Sequence, residues 1–408
     1  MRQFTQDWQA GHLRMMLSNV RRRRAWFMEG ASPAQLANLA LAGAHFACKA
    51  EYMRAWPVVA KVDISPLCNL RCTYCVHAVP GEGSDPALEQ QVFRRSQQMP
   101  IGDFERIARQ IAGKTMAVSL YYLGDPLMHP QLDEICGIAS SAGLNCHVST
   151  NFSFDLTDER LTRLLTSGLT HLTVCVDGLR QESYERTRVG GRIDRVLDNL
   201  DRTLHIRSEM GSRSPRIEVQ FIRFQHNLDQ LAAAQHWCRE RGVDQFTDYW
   251  GHLHNYTDEA PGRFRVFGPR PNRALPQCSW PHFALQIRYD GDVIPCCYFR
   301  HAEQYRPAGD RRVIGNVLES SVWEVWNSAE YRTLRRLVSN PARSSREPLL
   351  RDTFCDGCPT VFDTDIASKT YTADEHAWEE LYVRNGRNVV RRAAERPGAG
   401  SAVRSAAP

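Results

Sequence analysis

The chain of 408 residues lacks the features of membrane, secreted and nucleic-acid-binding proteins. No stretch reaches the ~18 apolar residues of a membrane-spanning helix, and the nearest run, 36–48, contains Asn38 and His45. Residues 1–9 are polar and lack the hydrophobic segment of a secretory signal. Basic residues do not alternate with stacking aromatics, and no internal repeat of fixed period is visible. These absences predict a cytoplasmic protein that does not bind nucleic acid.

Composition and charge are those of an ordinary globular protein, with one exception. Hydrophobic residues make up 42% of the chain, charged residues 24%, and the net charge is +5. The exception is thirteen cysteines, which without a secretory signal indicate metal ligation rather than disulfides. Arg21–Arg24, followed by Trp26 and Phe27, is a basic segment that could contact anionic lipid or a partner, although a helical cap explains residues 1–57 more simply.

Three of the cysteines form the most informative pattern in the chain. Cys68, Cys72 and Cys75 have the spacing C-x3-C-x2-C and follow an apolar segment, 58–64, that is typical of a strand. Three thiolates on one loop can hold three corners of an iron–sulfur cube and leave the fourth iron open for a small molecule. A structural zinc site with His77 as the fourth ligand is the alternative.

The order of elements predicts an α/β fold. Ser32-Pro33-Ala34-Gln35 is a helix-start signal within the N-terminal extension, residues 1–57. Strands and helices then alternate from 58 to 256, as in a parallel sheet, and six strands are too few for a closed eight-stranded barrel. The predicted strands are 58–64, 116–123, 145–150, 170–176, 216–223 and 243–249, and the predicted helices are 102–113, 131–141, 157–166, 192–208 and 228–241.

A second group of cysteines lies after a Pro/Arg/Gly-rich segment that reads as a linker, 257–277. This module, 278–360, has four cysteines that suit one closed metal site, and zinc is an alternative to an iron–sulfur cluster there. Cys297 competes with its neighbour, because spacing alone does not separate adjacent cysteines. A C-terminal helix, 361–395, and a disordered tail, 396–408, complete the prediction. The four candidate ligands are Cys278, Cys296, Cys355 and Cys358.

These motifs together resemble the radical S-adenosylmethionine (AdoMet) superfamily over roughly 58–360. Besides the cysteine loop, Leu123-Gly124-Asp125-Pro126 is similar to the family's GGEP segment, with Leu123 and Asp125 as departures. The run 184–191 is similar to its Y-x3-R-x-G-G pattern, and 278–358 resembles a SPASM domain in its shortened, twitch-like form.

The resemblance implies a partial (βα)6 barrel with a small C-terminal SPASM or twitch-like domain. It implies a 4Fe–4S cluster on Cys68, Cys72 and Cys75, whose open iron binds AdoMet, and one auxiliary 4Fe–4S cluster on the second group of cysteines. Asp177, at a strand end on the catalytic face, is the candidate catalytic residue. The expected AdoMet contacts are Tyr74, Gly124, Asp125, Pro126, Ser149, Asn151 and Arg188.

The implied activity is hydrogen-atom abstraction by a 5′-deoxyadenosyl radical. Relatives with a single auxiliary cluster include inosamine-type dehydrogenases, so the first expectation is oxidation of a sugar or cyclitol alcohol, with a flavodoxin- or ferredoxin-type electron donor. A peptide-modifying maturase is the first alternative. A non-catalytic iron–sulfur or zinc-binding scaffold is the second.

Overall fold

The three-dimensional structure is a computed structural model. It describes residues 28–72, 75, 97–250, 265–296, 312–351, 353–358, 360–371, 378–384 and 387–391. Among these residues, no helix combines the length and apolar character needed to cross a membrane. Five features discussed above lie outside the described residues, namely Arg21–Arg24, Tyr74, His77, Cys297 and the tail 396–408.

Six parallel strands form the centre of one sheet and lie side by side in chain order. A helix lies between each strand and the next, because parallel strands require a crossover connection. All six strands predicted from the sequence are confirmed, with differences only at their ends. They are β1 Val59–Val62, β2 Ala117–Ser119, β3 Asn145–Thr150, β4 His171–Cys175, β5 Arg216–Arg223 and β6 Gln245–Trp250.

The five helices predicted between 58 and 256 are also confirmed, and the helix of the N-terminal extension begins at its predicted cap. The Gln35 backbone N–H donates to Ser32 Oγ (3.2 Å), and the Ser32 N–H donates to the Gln35 side chain (2.8 Å). The helices are α1 Pro33–Ala47, α2 Ile101–Ile111, α3 Leu132–Ser141, α4 Asp158–Thr166, α5 Gln181–Glu185, α6 Ile193–Glu209, α7 Leu231–Glu240, α8 Trp280–Phe283, α9 Val322–Trp326 and α10 Ala329–Ser339.

The central sheet has one apolar face and one polar face. Val118, Val148 and Val174 lie on β2, β3 and β4 and point to the same face of the sheet. They are fully buried in one hydrophobic core with the helix residues Ile107 and Ile135. The strand residues between them point to the opposite face and are mostly polar. Because helices cover the apolar face, the polar face is the inner surface of the curved sheet, as in a partial (βα)6 barrel.

The second cysteine module continues the same sheet. Strand β8 (Ala284–Ile287) lies parallel to β1, and β9 (Asp292–Ile294) and β10 (Gly315–Asn316) extend the sheet in antiparallel orientation. The order among the described strands is β10-β9-β8-β1-β2-β3-β4-β5-β6. The sequence boundary at 278 is therefore not a boundary of the sheet.

The predicted linker contains a strand. Within 257–277, residues 265–277 are described, and β7 (Arg265–Pro269) pairs antiparallel with a strand that follows the module, β11 (Phe362–Tyr371). The Pro- and Arg-rich composition concealed this strand, since an edge strand tolerates proline at its end, where Pro269 lies.

The predicted C-terminal helix is wrong. The described parts of 361–395 form β11, β12 (Trp378–Arg384) and β13 (Arg387–Arg391), which pair in order as an antiparallel sheet with β7. Two signals for strands were present. Aromatic and β-branched residues are frequent here, and Asn385-Gly386 separates β12 from β13, a dipeptide that favours a two-residue hairpin.

A buried arginine of α10 joins the N-terminal extension to the second module. The Arg335 guanidinium donates to the backbone carbonyls of Pro281 (2.7 Å), Glu51 (2.9 Å) and Trp326 (2.6 Å). The Trp326 indole N–H donates to the carbonyl of Ala55 (3.0 Å). These three carbonyls belong to segments that are far from one another in sequence. One cation therefore holds together the end of the N-terminal extension, α8 and the end of α9.

Candidate active site

The cysteine loop follows β1 and lies at the carboxyl end of the parallel sheet. The backbone N–H of Cys75 donates to the carbonyl of Cys72 (3.0 Å), and the N–H of Arg71 donates to the carbonyl of Val189 (2.9 Å). Burial raises the pKa of the Cys68 thiol well above its usual value, and the nearby Asp125, Cys75 and Cys72 raise it further. As thiolates, Cys72 and Cys75 would therefore repel the thiolate of Cys68.

These donors fit a cationic iron–sulfur group. Burial also raises the pKa of Cys72 to about 12, opposed by the nearby Arg188 guanidinium. Thiols with such pKa values become thiolates only when a metal compensates the charge. Among the described residues, no three Cys, His, Asp or Glu side chains are close enough to hold one metal ion, a spacing that a cluster of several iron atoms does not require.

Gly124 lies directly against the cysteine loop. A Cβ atom at this position would stand 2.1 Å from the carbonyl oxygen of Leu67 and 2.3 Å from that of Ser65. The next residue completes the contact, because the backbone N–H of Asp125 donates to the Leu67 carbonyl (2.7 Å). Only glycine permits this approach of two backbones, which explains the residue type at this motif position.

The Asp125 carboxylate is fully engaged with the ends of β3 and of its own turn. It accepts hydrogen bonds from the Leu127 N–H (3.0 Å), the Thr150 hydroxyl (2.9 Å) and the Asn151 N–H (2.7 Å). Burial raises its pKa to about 6, partly offset by these donors. Sequence reasoning chose the neighbours of Thr150 and missed Thr150 itself, whose hydroxyl locks the turn to β3.

Asn151 links β3 to the cysteine loop. Its side-chain amide donates to Asn69 Oδ1 (2.9 Å) and lies 3.8 Å from Cys68 Sγ, while Asn69 donates to the carbonyl of Ser153 (2.8 Å). The structure thus brings the predicted residues Cys68, Asn151 and the Gly124–Asp125 turn together at one edge of the sheet. Pro126 begins the short 3₁₀ turn Pro126–Met128 that follows.

Arg188 forms a buried ion pair with Asp177. Arg188 Nε lies 2.6 Å from Asp177 Oδ2, and the side-chain exposures are 8% and 0%. The other carboxylate oxygen of Asp177 accepts the N–H of Ile222 (2.8 Å). Asp177 therefore holds Arg188 between the end of β4 and the carboxyl end of β5.

Cys175 lies on the inner face at the same level. Burial raises the pKa of its thiol, which the nearby Arg188 opposes and Asp177 reinforces. Its sulfur lies 4.0 Å from Ser149 Oγ and 3.8 Å from Gln220 Oε1. The sequence pattern had indicated an inert buried cysteine, because strand periodicity alone does not identify which buried residues face a cavity.

Further from the carboxyl ends of the strands, the inner face carries polar residues that sequence reasoning missed. The Lys61 ammonium lies 4.5 Å from the ring centroid of Tyr121, whose ring packs edge-on against His147 (centroids 5.2 Å apart). Glu218 and Gln220 follow on β5. One signal was available in the sequence. Parallel strands that are packed on both faces are usually apolar throughout, whereas polar and apolar residues alternate in these strands.

The four cysteines of the second module are connected in pairs, either directly or through a shared neighbour. Burial raises the pKa of Cys278 to about 12, and Cys358 nearby raises it further. The N–H of Cys358 donates to the carbonyl of Cys355 (3.2 Å). Cys296 and Cys355 both act electrostatically on the buried phenol of Tyr331, whose pKa burial raises. This donor set is typical of a second iron–sulfur site.

Two family models match the chain. Residues 62–208 match the radical SAM (S-adenosylmethionine) superfamily, and residues 278–359 match SPASM, an iron–sulfur cluster-binding domain. Together the matches cover more than half of the sequence. They confirm the resemblance drawn from the cysteine motifs, and with it the need for AdoMet, a 4Fe–4S cluster and auxiliary iron–sulfur binding.

Curated proteins with similar sequences catalyse or support different reactions. The tungsten-containing aldehyde ferredoxin oxidoreductase cofactor-modifying protein of Pyrococcus furiosus is 24% identical over 344 residues, covering 75% of this chain and 90% of the relative. The GTP 3′,8-cyclase of Helicobacter pylori is 21% identical over 319 residues, covering 68% and 94%. The chain spans only 40% of the Chlorobaculum tepidum GTP 3′,8-cyclase, at 26% identity over 144 residues.

Solved structures share the fold. SuiB of Streptococcus suis bound to S-adenosylmethionine has a TM-score of 0.54 and 16% identity, covering 88% of this chain and 84% of SuiB. SuiB bound to its precursor peptide SuiA also has a TM-score of 0.54 and 16% identity, covering 80% and 76%. At this identity the similarity shows the α/β radical SAM fold with a C-terminal SPASM domain.

Proposed function

We propose that this protein, which belongs to the radical SAM superfamily and carries a SPASM domain, oxidises an alcohol of a sugar or cyclitol to a ketone in the cytoplasm. The observation that carries the proposal is the polar inner face of the sheet. Because the superfamily consists of enzymes, we do not pursue the alternative hypothesis of a non-catalytic iron–sulfur or zinc-binding scaffold. The choice among substrates rests on which chemical groups the inner face would satisfy.

The inner face offers hydrogen-bonding groups of every type. Lys61 supplies an ammonium group, Glu218 a carboxylate, His147 an imidazole and Gln220 an amide. A small molecule with several hydroxyl groups suits such a surface, since each hydroxyl both donates and accepts hydrogen bonds.

The loop cysteines Cys68, Cys72 and Cys75 are the proposed ligands of the radical cluster. When bound, this cluster and AdoMet supply a 5′-deoxyadenosyl radical that removes a hydrogen atom from the substrate. The chain's own contribution is to hold the loop in shape. The close approach of Gly124 and the Asn151–Asn69 hydrogen bond serve that purpose.

Arg188 is the proposed partner of the AdoMet carboxylate, with Asp177 holding it in place rather than acting in catalysis. The Asp177 contact is made by Arg188 Nε, and a planar guanidinium carries further N–H donors that suit a carboxylate. Gly124, Pro126, Ser149 and Asn151 lie along the same edge and remain proposed AdoMet contacts. Asp125 is proposed to support them by fixing the turn, because its carboxylate already accepts three hydrogen bonds.

The second module is proposed to bind a single auxiliary cluster through Cys278, Cys296, Cys355 and Cys358. Four protein ligands leave no open iron, so this cluster suits electron transfer rather than AdoMet binding. Alcohol oxidation requires such an acceptor, because the substrate must lose a second electron after the hydrogen atom. A flavodoxin- or ferredoxin-type protein is the proposed donor for the radical cluster.

Peptide modification is the second candidate. Its support is the fold shared with SuiB, a structure determined with the precursor peptide SuiA. Sequence identity of 16% shows the fold alone, so the peptide stays an alternative substrate to be tested beside the polyols.

The proposal is tested by anaerobic reconstitution with iron and sulfide, followed by incubation with AdoMet, dithionite and candidate substrates. Sugars and cyclitols deuterated at the carbinol carbon should transfer deuterium to 5′-deoxyadenosine and yield ketones. The control with Cys68, Cys72 and Cys75 all replaced by Ala should release no 5′-deoxyadenosine. Deuterium transfer from peptides alone would favour the second candidate instead.

AdoMet capture is tested separately by equilibrium binding without reductant. Arg188→Ala should weaken AdoMet binding by about 1.5–3 kcal/mol, the range for hydrogen bonds to charged groups, with unchanged iron content. Arg180→Ala is the matched control, because Arg180 is exposed and pairs with Asp229. Equal affinities of both variants would remove Arg188 from the AdoMet site.

A further inference from the structure

A chain of hydrogen bonds crosses the inner face from β2 to β6. Ser119 Oγ lies 3.1 Å from His147 Nδ1, and His147 Nε2 lies 2.8 Å from Thr173 Oγ1. Thr173 donates to Glu218 Oε2 (3.4 Å, the longest link), and the Thr247 hydroxyl donates to Glu218 Oε1. Each of these residues lies on a different strand, so the chain joins five neighbouring strands.

All hydrogen bonds in this chain run in one direction. An ionised carboxylate only accepts hydrogen bonds, so the single hydroxyl hydrogen of Thr173 is directed to Glu218. Thr173 must then accept from His147 Nε2–H, which leaves Nδ1 of the neutral imidazole to accept from the Ser119 hydroxyl. Every donor in the chain therefore points towards Glu218, and the chain fixes one tautomer of His147.

Glu218 retains capacity for a ligand. Its side chain is half-buried on the inner face, and a carboxylate can accept about four hydrogen bonds, of which Thr173 and Thr247 supply two. Within the described part of the chain, no basic side chain forms an ion pair with Glu218. Asp177 and Asp248, near the carboxyl ends of β4 and β6, are paired with Arg188 and Arg223.

We propose that Glu218 is the catalytic base that accepts the hydroxyl proton of the substrate, with His147 and Thr173 as positioning residues. The inference rests on the proposed alcohol oxidation. Bound AdoMet and its cluster would supply the radical that takes the hydrogen atom from the carbinol carbon, while the O–H bond breaks and its proton moves to Glu218. An auxiliary cluster held by Cys278, Cys296, Cys355 and Cys358 would accept the remaining electron, so that the carbon–oxygen double bond can form.

The first test compares Glu218→Gln with the holoenzyme, using carbinol-deuterated myo-inositol, amino-inositols and hexoses as probes. Deuterium transfer to 5′-deoxyadenosine should persist, while ketone per 5′-deoxyadenosine falls about 10²–10⁴-fold, the usual contribution of a general base. Glu218→Asp keeps a base and should restore part of the ketone. Glu182→Gln, at an exposed glutamate, is the control and should behave as wild type.

The second test has a readout independent of turnover. In protein labelled with ¹⁵N-histidine and left unreduced, the His147 signal, assigned by its loss in His147→Gln, should report the Nε2–H tautomer. Thr173→Val removes the acceptor and should abolish this preference. Probe affinity without reductant should fall in Glu218→Gln, because the amide replaces one accepting oxygen by a donor.

The outcomes separate the two proposals. If wild type oxidises none of the alcohol probes, the proposed function fails and this inference falls with it. If wild type forms ketone and Glu218→Gln forms it within threefold at the same deuterium transfer, the proposed function stands and Glu218 is not the base. A His147 signal of the Nδ1–H tautomer would overturn the positioning role.

Discussion

Gly124 shows how strongly one residue can be constrained by a neighbouring loop. Replacement by Ala would place a methyl group within 2.1 Å of the Leu67 carbonyl oxygen, in a contact made entirely by backbone. The cysteine loop or the turn would have to move. We expect Gly124→Ala to lower stability by about 1–3 kcal/mol or more and to reduce iron bound at the Cys68 loop. Thermal unfolding and iron analysis after reconstitution measure both effects.

Gly43 provides the matched control for this substitution. It lies within α1, and a Cβ atom there would meet no atom within 4 Å. Gly43→Ala should therefore leave iron content unchanged and should raise stability by about 0.5–1 kcal/mol, since alanine favours the helix. Equal iron content in the Gly124 and Gly43 variants would contradict the close-contact argument.

Asp63, at the end of β1, gives the protein a pH-dependent stability. Burial raises the pKa of this carboxyl to about 7, and the Arg288 guanidinium partly offsets the shift. The folded protein thus binds a proton that the unfolded chain releases near pH 4, so this group's contribution to stability grows as pH falls through 7. The contribution reaches about 4 kcal/mol at most, from a shift of roughly three units.

Asp63→Asn should flatten this pH dependence between pH 8 and pH 6. Anaerobic thermal unfolding of both proteins across that range measures the difference in slope. Asp155→Asn, at a carboxylate that is 83% exposed, should leave the slope of wild type unchanged. Parallel curves for wild type and Asp63→Asn would show that the carboxyl is already ionised throughout this range.

Among the structural elements, α10 depends on a single buried cation. Arg335→Met would leave the carbonyls of Glu51, Pro281 and Trp326 without their donor. We expect a loss of at least about 2 kcal/mol in the free energy of unfolding, because buried acceptors would be left unsatisfied. Denaturant unfolding measures the loss. Arg332→Ala, an exposed arginine of the same helix, should change stability by less than about 0.5 kcal/mol.

Element prediction succeeded where the signal was local and failed where composition was ambiguous. The strands and helices between 58 and 241 were predicted because each has its own periodicity and turn residues. The C-terminal strands β11–β13 were read as a helix, because apolar residues such as Leu381 and Val389 fit both periods. The Asn385-Gly386 pair was the decisive sequence signal that this reading overlooked.

At the scale of the whole molecule, the pairing of β1 with β8 joins the six parallel strands to the second cysteine module. Val58 N–H donates to the carbonyl of Phe283, and Asp63 N–H donates to that of Ile287 (2.9 and 2.8 Å). A chain truncated after residue 277 would expose this edge of β1 and would lack Arg335 and Trp326, which donate to carbonyls of the N-terminal extension. We expect the truncated chain to be insoluble or unfolded by circular dichroism, because an unpaired buried strand edge favours aggregation.

A chain ending at Arg391 is the matched control and should fold with full iron content. If the chain truncated after 277 folded and bound iron at Cys68, Cys72 and Cys75, the cysteine-loop domain would be an independent unit. That result would favour the division at 278 suggested by the sequence over the continuous sheet.

The sequence by itself determined the family, the cofactors and the order of the central strands and helices. These follow from short-range patterns, such as three cysteines within eight residues and the capping signal before α1, whose meaning does not depend on the rest of the chain. The tertiary structure alone decided the pairing of Arg188 with Asp177, the contact of Gly124 with the cysteine loop and the hydrogen-bonded chain to Glu218. The Gly124 contact and the hydrogen-bonded chain join residues that are distant in sequence, which strand curvature and register bring together. Arg188 and Asp177 are 11 residues apart and meet through the path of the segment between them.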